Sequence, residues 1–240
     1  MPIAITHDFE KGDISEWYSN EIGGGAGSAA TIDGNIVPGD RTQGRYGAKM
    51  TLANPQTRCE LVMNDKPSGR LALFSEGEQW EFSWHFKLSA GWNNSNAPFQ
   101  AIAQWYPYPA ANFIGSPPIS LMAGNAIFGD AVNLTMFQGT GQPVITGSVL
   151  TPLAALSTIR GSWVKIKVRI IFSIIASKSR IAVDINGATV MDAMSPYSTL
   201  AGVGPNGLAD KCYFKIGYYR DSTIASTDSV HVDYVDARQI

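Results

Sequence analysis

The sequence predicts an all-β fold, a single two-sheet antiparallel β-sandwich of the jelly-roll type. Amphipathic helical periodicity is nearly absent from the 240 residues, and short β-type runs recur between clusters of Gly, Pro, Asn and Ser. The 45% hydrophobic content suffices for a sizeable core, and the 16% charged content is low. Because strand patterns of one style run the length of the chain, we expect one domain over residues 1–240.

Alternating apolar and polar side chains mark the candidate strands in order along the chain. They are 46–52, 57–63, 80–88, 99–106, 119–123, 131–137, 163–172, 180–185, 188–192, 212–219 and 229–236. Asn186-Gly187, within "DINGATV", predicts a two-residue hairpin turn. The stretches 22–30 and 106–118, rich in Gly and Pro, are predicted to be loops. Residues 150–159 are predicted to form one helical turn or a loop crossing a sheet edge.

Charge and cysteine content exclude several classes of protein. The formal net charge of −2 indicates neither a nucleic acid nor an anionic membrane as partner. The longest apolar run, "IIFSIIA" at 170–176, is too short to span a membrane. The first residues lack the basic region, apolar run and cleavage site of a secretory signal. Two cysteines do not define a disulfide framework.

Three predicted strands carry functional groups on the face opposite their apolar side. The polar faces hold Arg58 and Glu60 in "TRCELVM", Gln104 and Tyr106 in "FQAIAQWYP", and Tyr213, Lys215, Gly217 and Tyr219 in "KCYFKIGYYRD". Taken singly, each of these residues has an ordinary explanation. An exposed Arg–Glu pair on a strand, for example, is usually a cross-strand ion pair. Their occurrence on three strands of one chain favours a site.

These motifs, in this order, resemble those of the jelly-roll polysaccharide lyases, which have a concanavalin A-like sandwich. The alginate lyase, glucuronan lyase and heparin lyase I-like families carry Arg-x-Glu-Leu, Gln-x-His and Tyr-Phe-Lys-x-Gly-x-Tyr strands, which stand here as "RCEL", "QWY" and "YFKIGYY". The similarity is closest to the heparin lyase I-like group and covers most of the chain. In one departure, Tyr106 occupies the position of the family histidine.

The resemblance implies a lyase that cleaves a uronic-acid-containing polysaccharide by β-elimination and leaves an unsaturated uronate end. Arg58, Gln104 and Lys215 would offset the charge of the sugar carboxylate, and Glu60 would orient Arg58. Tyr219 matches the family tyrosine that acts as acid, base or both. Tyr106 would replace the histidine as a phenolic acid or stack on a sugar ring, and Tyr213 would line the floor of a concave cleft. Gly217 would leave room for the sugar.

Two further groups are weaker candidates for the same cleft. His85 is another proton carrier, although a solvated histidine on the outer sheet is the simpler interpretation. Lys167 and Arg169, in "WVKIKVRI", lie along one strand face with Lys165. On the concave sheet this stripe would attract a polyanion, and on the other sheet it would be an ordinary solvated face, since periodicity cannot choose the sheet.

The resemblance also bears on cysteines, ions and location. It makes the strands of Cys59 and Cys212 neighbours, so either two buried thiols or a disulfide is expected. No cofactor is required and no metal ligand is assigned. Related lyases often carry a structural calcium, and Glu10, Asp13, Asp228 and Asp233 offer suitable oxygens, although surface carboxylates without an ion are the simpler interpretation, because the sequence has no compact ligand loop. We expect a secreted or extracellular protein with its signal absent or trimmed, or one associated with a virus particle.

Two other functions stand beside the lyase. A non-catalytic glycan-binding module of the same fold, lectin-like or viral and receptor-binding, is favoured by the missing histidine. Retention of Arg58, Gln104, Lys215 and Tyr219 favours catalysis instead. A glycoside hydrolase would need two carboxylates facing each other across the cleft, and Glu60 is the one evident candidate.

Overall fold

The computed structural model describes residues 3–23, 30–32, 41–66, 68–92, 99–108, 116–125, 129–138, 147–203 and 208–240. The strands are β1 (Ala4–His7), β2 (Ser19–Gly23), β3 (Ala30–Ile32), β4 (Ala48–Leu52), β5 (Arg58–Val62), β6 (Gln79–Leu88), β7 (Gln100–Tyr108), β8 (Ile119–Asn125), β9 (Gly129–Gln138), β10 (Gly147–Ala155), β11 (Val164–Ile171), β12 (Arg180–Ile185), β13 (Ala188–Met194), β14 (Lys211–Arg220) and β15 (Asp228–Gln239). A short helix, α1 (Leu156–Ile159), follows β10, and a 3₁₀ turn spans Ala176–Lys178.

The strands form two antiparallel sheets, which confirms the predicted sandwich. The first, which we call the β6 sheet, has the order β13-β12-β11-β6-β15-β4-β3, with β1 also paired to β15. The second, the β14 sheet, has the order β10-β9-β8-β7-β14-β5-β2. Strands distant in sequence are therefore neighbours, and β14 lies between β5 and β7.

The core lies between the two sheets and is rich in aromatic rings. Phe82 of β6 packs 5.2 Å from both Trp105 of β7 and Phe214 of β14, measured between ring centroids. Trp84 adds contacts to the same two rings. These side chains alternate with polar ones along their strands, so the period-2 pattern directs one face of each sheet inward.

All the strands predicted from sequence are present, with ends shifted by a few residues. Four others, β1, β2, β3 and β10, were not predicted. β2 has no apolar face to detect, and β10 contains Pro152, which lies beside a β-bulge on an edge strand where proline is tolerated. Within the predicted helical turn or loop at 150–159, α1 forms the second part, but residues 150–155 belong to β10. The predicted loops at 22–30 and 106–118 are wrong at 22–23, 30 and 106–108, which lie in strands, and their residues 24–29 and 109–115 lie outside the described part of the chain.

The Asn186-Gly187 hairpin is confirmed. Ile185 pairs with Ala188 across the two-residue turn, and both turn residues have positive φ, 50° for Asn186 and 85° for Gly187. These are the values of a turn whose twist matches that of the flanking strands.

Cys59 and Cys212 are both buried free thiols. On β14, Tyr218 pairs with Cys59, whereas Cys212 pairs with Pro107 of β7. The thiols are therefore separated by most of the length of β14, far beyond the reach of a disulfide. The two-thiol alternative is confirmed and the disulfide is excluded.

Each of the four carboxylates considered for calcium accepts hydrogen bonds from its own set of donors. Glu10 accepts from the backbone N–H of Arg45, and Asp233 from that of Thr42. Within the described ranges, no group of three or more His, Cys, Asp or Glu side chains is arranged to hold a metal. The structural calcium ion stays a prediction. No helix in the described part of the chain is long and apolar enough to cross a membrane.

Candidate active site

The β14 sheet brings together the polar faces of its three neighbouring strands. In the antiparallel register, Tyr219 of β14 lies opposite Arg58 of β5, and Lys215 lies opposite Gln104 of β7. Tyr213 lies opposite Tyr106. Directly opposite residues in such a ladder have Cβ atoms about 4.5–5.5 Å apart, so their side chains touch. The prediction that these strands share a sheet is confirmed.

Glu60 is the buried centre of this cluster. Its carboxylate is fully buried, accepts a 2.5 Å hydrogen bond from Nε2 of Gln104, and lies 3.5 Å from Nε of Arg58. Burial raises the pKa of the Glu60 carboxyl above its ordinary value, while Lys215 and Arg58 act in the opposite direction. Because the Gln104 amide group donates to Glu60, its orientation is fixed, and the amide nitrogen carries a second N–H that can donate to another acceptor.

Lys215 is a buried cation, with its side chain only 3% exposed. Its Nζ lies 2.7 Å from Oε2 of Glu21 and 4.3 Å from the centre of the Tyr106 ring. A buried ammonium group requires such compensation, because its transfer out of water is costly. The ion pair and the ring face together supply it.

Glu21 is a functional candidate that sequence reasoning missed. It lies on β2, directly opposite Glu60, and its Oε2 is 2.9 Å from Nη1 of Arg58 as well as 2.7 Å from Nζ of Lys215. One carboxylate oxygen thus bridges two cations from different strands. The stretch "SNEIG" gave no strand signal, so its alignment with the cluster could not be predicted.

Tyr219 lies beneath the Arg58 guanidinium. The guanidinium carbon is 3.9 Å from the centre of the Tyr219 ring. Burial lowers the pKa of Arg58, but Glu60, a hydrogen bond with Tyr219, the charge of Tyr219 and Glu21 together raise it overall. Arg58 therefore remains a cation, in contact with the face of the Tyr219 ring.

Tyr106 and Tyr213 pack together on the other side of Lys215, with ring centroids 5.7 Å apart. Burial is the main reason that the pKa of each phenol is raised. Both therefore hold their protons at neutral pH. A raised pKa makes Tyr106 a less available base than a free phenol, because the neutral form is favoured, and Lys215 lies over one face of its ring.

Gly217 does not leave the predicted gap for a ligand. A Cβ atom at this position would lie 2.4 Å from the carbonyl oxygen of Cys59 and 2.7 Å from Sδ of Met50, which is a core residue. The φ angle is 149°, and the register with β7 is irregular between Ile216 and Tyr219. Glycine is required by this backbone conformation and by close packing toward the core.

His85, Lys167 and Arg169 are not part of this cluster. They lie on β6 and β11 of the opposite sheet, on the face that alternates with the core residues. Lys167 pairs with Glu81 at 3.3 Å and Arg169 with Asp184 at 2.8 Å. The stripe is therefore an ordinary solvated face with its own counter-ions, and the assignment of these three residues to the cleft is corrected.

The cluster is equipped for two tasks at once. Arg58, Lys215 and the Gln104 amide can bind a carboxylate of a ligand, since two are cations and the third is a fixed neutral donor. Tyr219, in contact with Arg58, can exchange a proton next to that carboxylate.

A family model described as "Polysaccharide lyase" matches residues 9–236. No curated protein has a significantly similar sequence. Among solved structures, the endo-β-1,4-glucuronan lyase from the fungus Trichoderma reesei has a TM-score of 0.67 at 18% identity, covering 97% of this chain and 94% of that one. Alginate lyase Aly36B has a TM-score of 0.57 at 12% identity, covering 100% and 98%. The family 7 alginate lyase A1-II' has a TM-score of 0.56 at 14% identity, covering 81% and 80%. These similarities show a shared fold.

Proposed function

We propose that this chain, which belongs to the polysaccharide lyase family, cleaves a uronic-acid-containing polysaccharide by β-elimination. Family membership makes it a lyase and favours an enzyme over a pure glycan-binding module. The uronate substrate and the roles of individual residues are the proposal. The similar structures named above are lyases of glucuronan and alginate, both uronate polymers, which agrees with an anionic polysaccharide as substrate. We propose that the protein acts outside the cell, where such polymers occur.

The first requirement of the reaction is to offset the charge of the sugar carboxylate. The proton on C5 is very weakly acidic, because its loss places more negative charge beside a carboxylate that is already ionised. Arg58, Lys215 and Gln104 converge from three adjacent strands and would bind this carboxylate. Donors already held in place stabilise the developing charge without reorganising, and one such donor is typically worth about 10²–10³-fold in turnover.

The second requirement is a proton carrier, and we assign this role to Tyr219. The Tyr219 phenolate, formed beside the Arg58 guanidinium, takes the proton from C5. The C5–H electron pair becomes the C4–C5 double bond, and the C4–O bond breaks. The phenol then gives its proton to the leaving glycosidic oxygen, which restores the phenolate with which the cycle began. The observation that carries this assignment is the 3.9 Å contact between Arg58 and the Tyr219 ring, on the strand that also carries Lys215. Gln104 lies opposite Lys215 on the next strand.

The test is a panel of glucuronan, alginate, heparin, heparan sulfate and hyaluronan, followed by the ultraviolet absorbance of the new C4–C5 double bond. Tyr219→Phe keeps the ring and removes the proton carrier, so we expect turnover on the cleaved polymer to fall about 100-fold or more while binding changes little. Tyr18→Phe is the matched control, because Tyr18 is 52% exposed and lies outside the cluster. Its turnover should equal that of the wild type.

Replacing the carboxylate-binding groups tests the other half of the proposal. Arg58→Ala and Gln104→Ala should each lose most activity while the thermal unfolding midpoint shows that the fold survives. Normal turnover by either variant would remove that residue from the mechanism. Full activity of Tyr219→Phe would mean that the proton carrier is misassigned. If the wild type binds a uronate polymer but makes no unsaturated product from the panel, elimination itself is refuted.

A further inference from the structure

Glu21 occupies the position that the proposed function gives to a ligand carboxylate. Its Oε2 contacts Nη1 of Arg58 and Nζ of Lys215 at 2.9 and 2.7 Å, the two cations assigned to the sugar carboxylate. The contact joins residues far apart in sequence, across the edge of the β14 sheet. A uronate carboxylate and the Glu21 carboxylate are the same chemical group, so they compete for the same partners.

The two acidic residues of the cluster differ in their freedom to leave it. Glu60 is fully buried and accepts from Gln104, so it stays in place when a ligand binds. The Glu21 side chain is 29% exposed and belongs to β2, the edge strand of its sheet. Rotation of Glu21 toward solvent requires no rearrangement of the central strands.

The buried ammonium group of Lys215 requires a negatively charged partner in the free protein. The group is almost fully buried, and a buried cation without a counter-ion is strongly unfavourable. Glu21 is the counter-ion in direct contact with this ammonium group, because its Oε2 lies 2.7 Å from Nζ. It supplies that contact until a ligand replaces it.

We propose that Glu21 is an internal substitute for the substrate carboxylate, displaced from Arg58 and Lys215 when a uronate sugar binds. The inference rests on the proposed function, in which those cations bind the sugar carboxylate. The exchange conserves charge at the site only for an anionic sugar, because a neutral sugar that displaced Glu21 would leave Lys215 without its counter-ion. Glu21 thereby sets the affinity for acidic sugars, whereas a neutral sugar does not displace it.

The test compares the wild type with Glu21→Gln, which keeps the shape of the side chain and removes its charge. Sodium D-glucuronate is the probe, titrated by calorimetry, with methyl glucoside as the neutral sugar. Without its competitor, the site of Glu21→Gln should bind glucuronate about 5- to 20-fold more tightly, in line with the loss of two ion pairs that share a carboxylate 29% exposed to solvent. Methyl glucoside should bind no better. KM for the cleaved polymer should fall by a similar factor, with little change in kcat.

Asp192→Asn is the matched control, since it removes one negative charge from an exposed ion pair with Arg180 on the other sheet. Its affinity for glucuronate should equal that of the wild type, so a gain as large as that of Glu21→Gln would overturn the proposal. Unchanged or weaker glucuronate binding by Glu21→Gln would also overturn the proposal. A decrease in kcat without a change in glucuronate affinity would show that Glu21 merely positions the cations, which would overturn it as well.

A shorter side chain keeps the test decisive if Glu21→Gln does not fold. Glu21→Asp retains the charge but reaches less far, so its affinity for glucuronate should lie above that of the wild type. An affinity at or below the wild-type value would overturn the proposal. The proposed function is tested separately, and it fails if the wild type makes no unsaturated product. The glucuronate titration measures the role of Glu21 through binding alone and does not depend on turnover.

Discussion

Gly217→Ala should destabilise the protein strongly, although it adds a single methyl group. The new Cβ would lie 2.4 Å from the carbonyl oxygen of Cys59 and 2.8 Å from Cα of Glu60, so the backbone of β5 would have to move. A non-glycine residue in this region of φ costs about 1–3 kcal/mol, and overpacking costs about 1–3 kcal/mol more. The sum, about 2–6 kcal/mol, corresponds to a decrease of about 4–24 °C in Tm for a chain of this size.

Urea unfolding of this variant beside Gly187→Ala would check the reasoning. Gly187 also has positive φ, 85°, but a Cβ there meets nothing within 4 Å. Gly187→Ala should therefore show the backbone strain alone, about 1–2 kcal/mol. The difference between the two variants measures the close approach of β14 to β5 and to Met50. If Gly217→Ala lost no more stability than Gly187→Ala, the packing argument would be wrong.

Three further expectations concern groups at and away from the site. The buried thiols Cys59 and Cys212 should resist an aromatic disulfide reagent until the protein unfolds, and burial raises the pKa of Cys59 to about 12. A reductant should leave Tm unchanged, because the two cysteines form no disulfide. Rapid labelling of the native protein would contradict this expectation. His85→Ala and Lys167→Ala should keep wild-type turnover, because both residues lie on the other sheet, and a tenfold loss in either would return it to the mechanism. Burial raises the pKa of Glu60, so the folded state holds this proton more tightly than the unfolded chain; the resulting stability is present at low pH and lost as pH rises through the raised pKa. Urea titrations at several pH values should show this component in the wild type and not in Glu60→Gln.

The strands that form the site could be predicted because, away from Gly217, each alternates between a face of core residues and a face that carries the functional side chains. Alternation fixes the face on which Arg58, Gln104 and Lys215 lie, provided that the other face is buried. It does not fix which strands are neighbours. That the three strands would lie side by side in one sheet was suggested by the order of the motifs and their resemblance to known lyases, not by the local pattern.

The features that were missed share a physical cause, which is that they depend on contacts between distant segments. Glu21 lies on a short, polar edge strand that exists because it pairs with β5. Gly217 was misinterpreted because counting alternate residues assumes a regular strand, whereas β14 is irregular at this point. Lys167 and Arg169 lie on the polar face of β11, as predicted, but periodicity contains no information about which sheet receives the strand.

The central position of β14 has a consequence for how the protein loses activity. Arg58, Gln104 and Lys215 are carried on three strands joined by one continuous backbone ladder, and that ladder closes only when segments far apart in the sequence have met. Sites carried on loops often fail first, since loops open locally at low free-energy cost. Here the reacting groups lie on three paired strands, none of them at the edge of the sheet, so inactivation by heat or denaturant should coincide with cooperative unfolding of the sandwich. Residual turnover then reports the fraction of molecules that remain native.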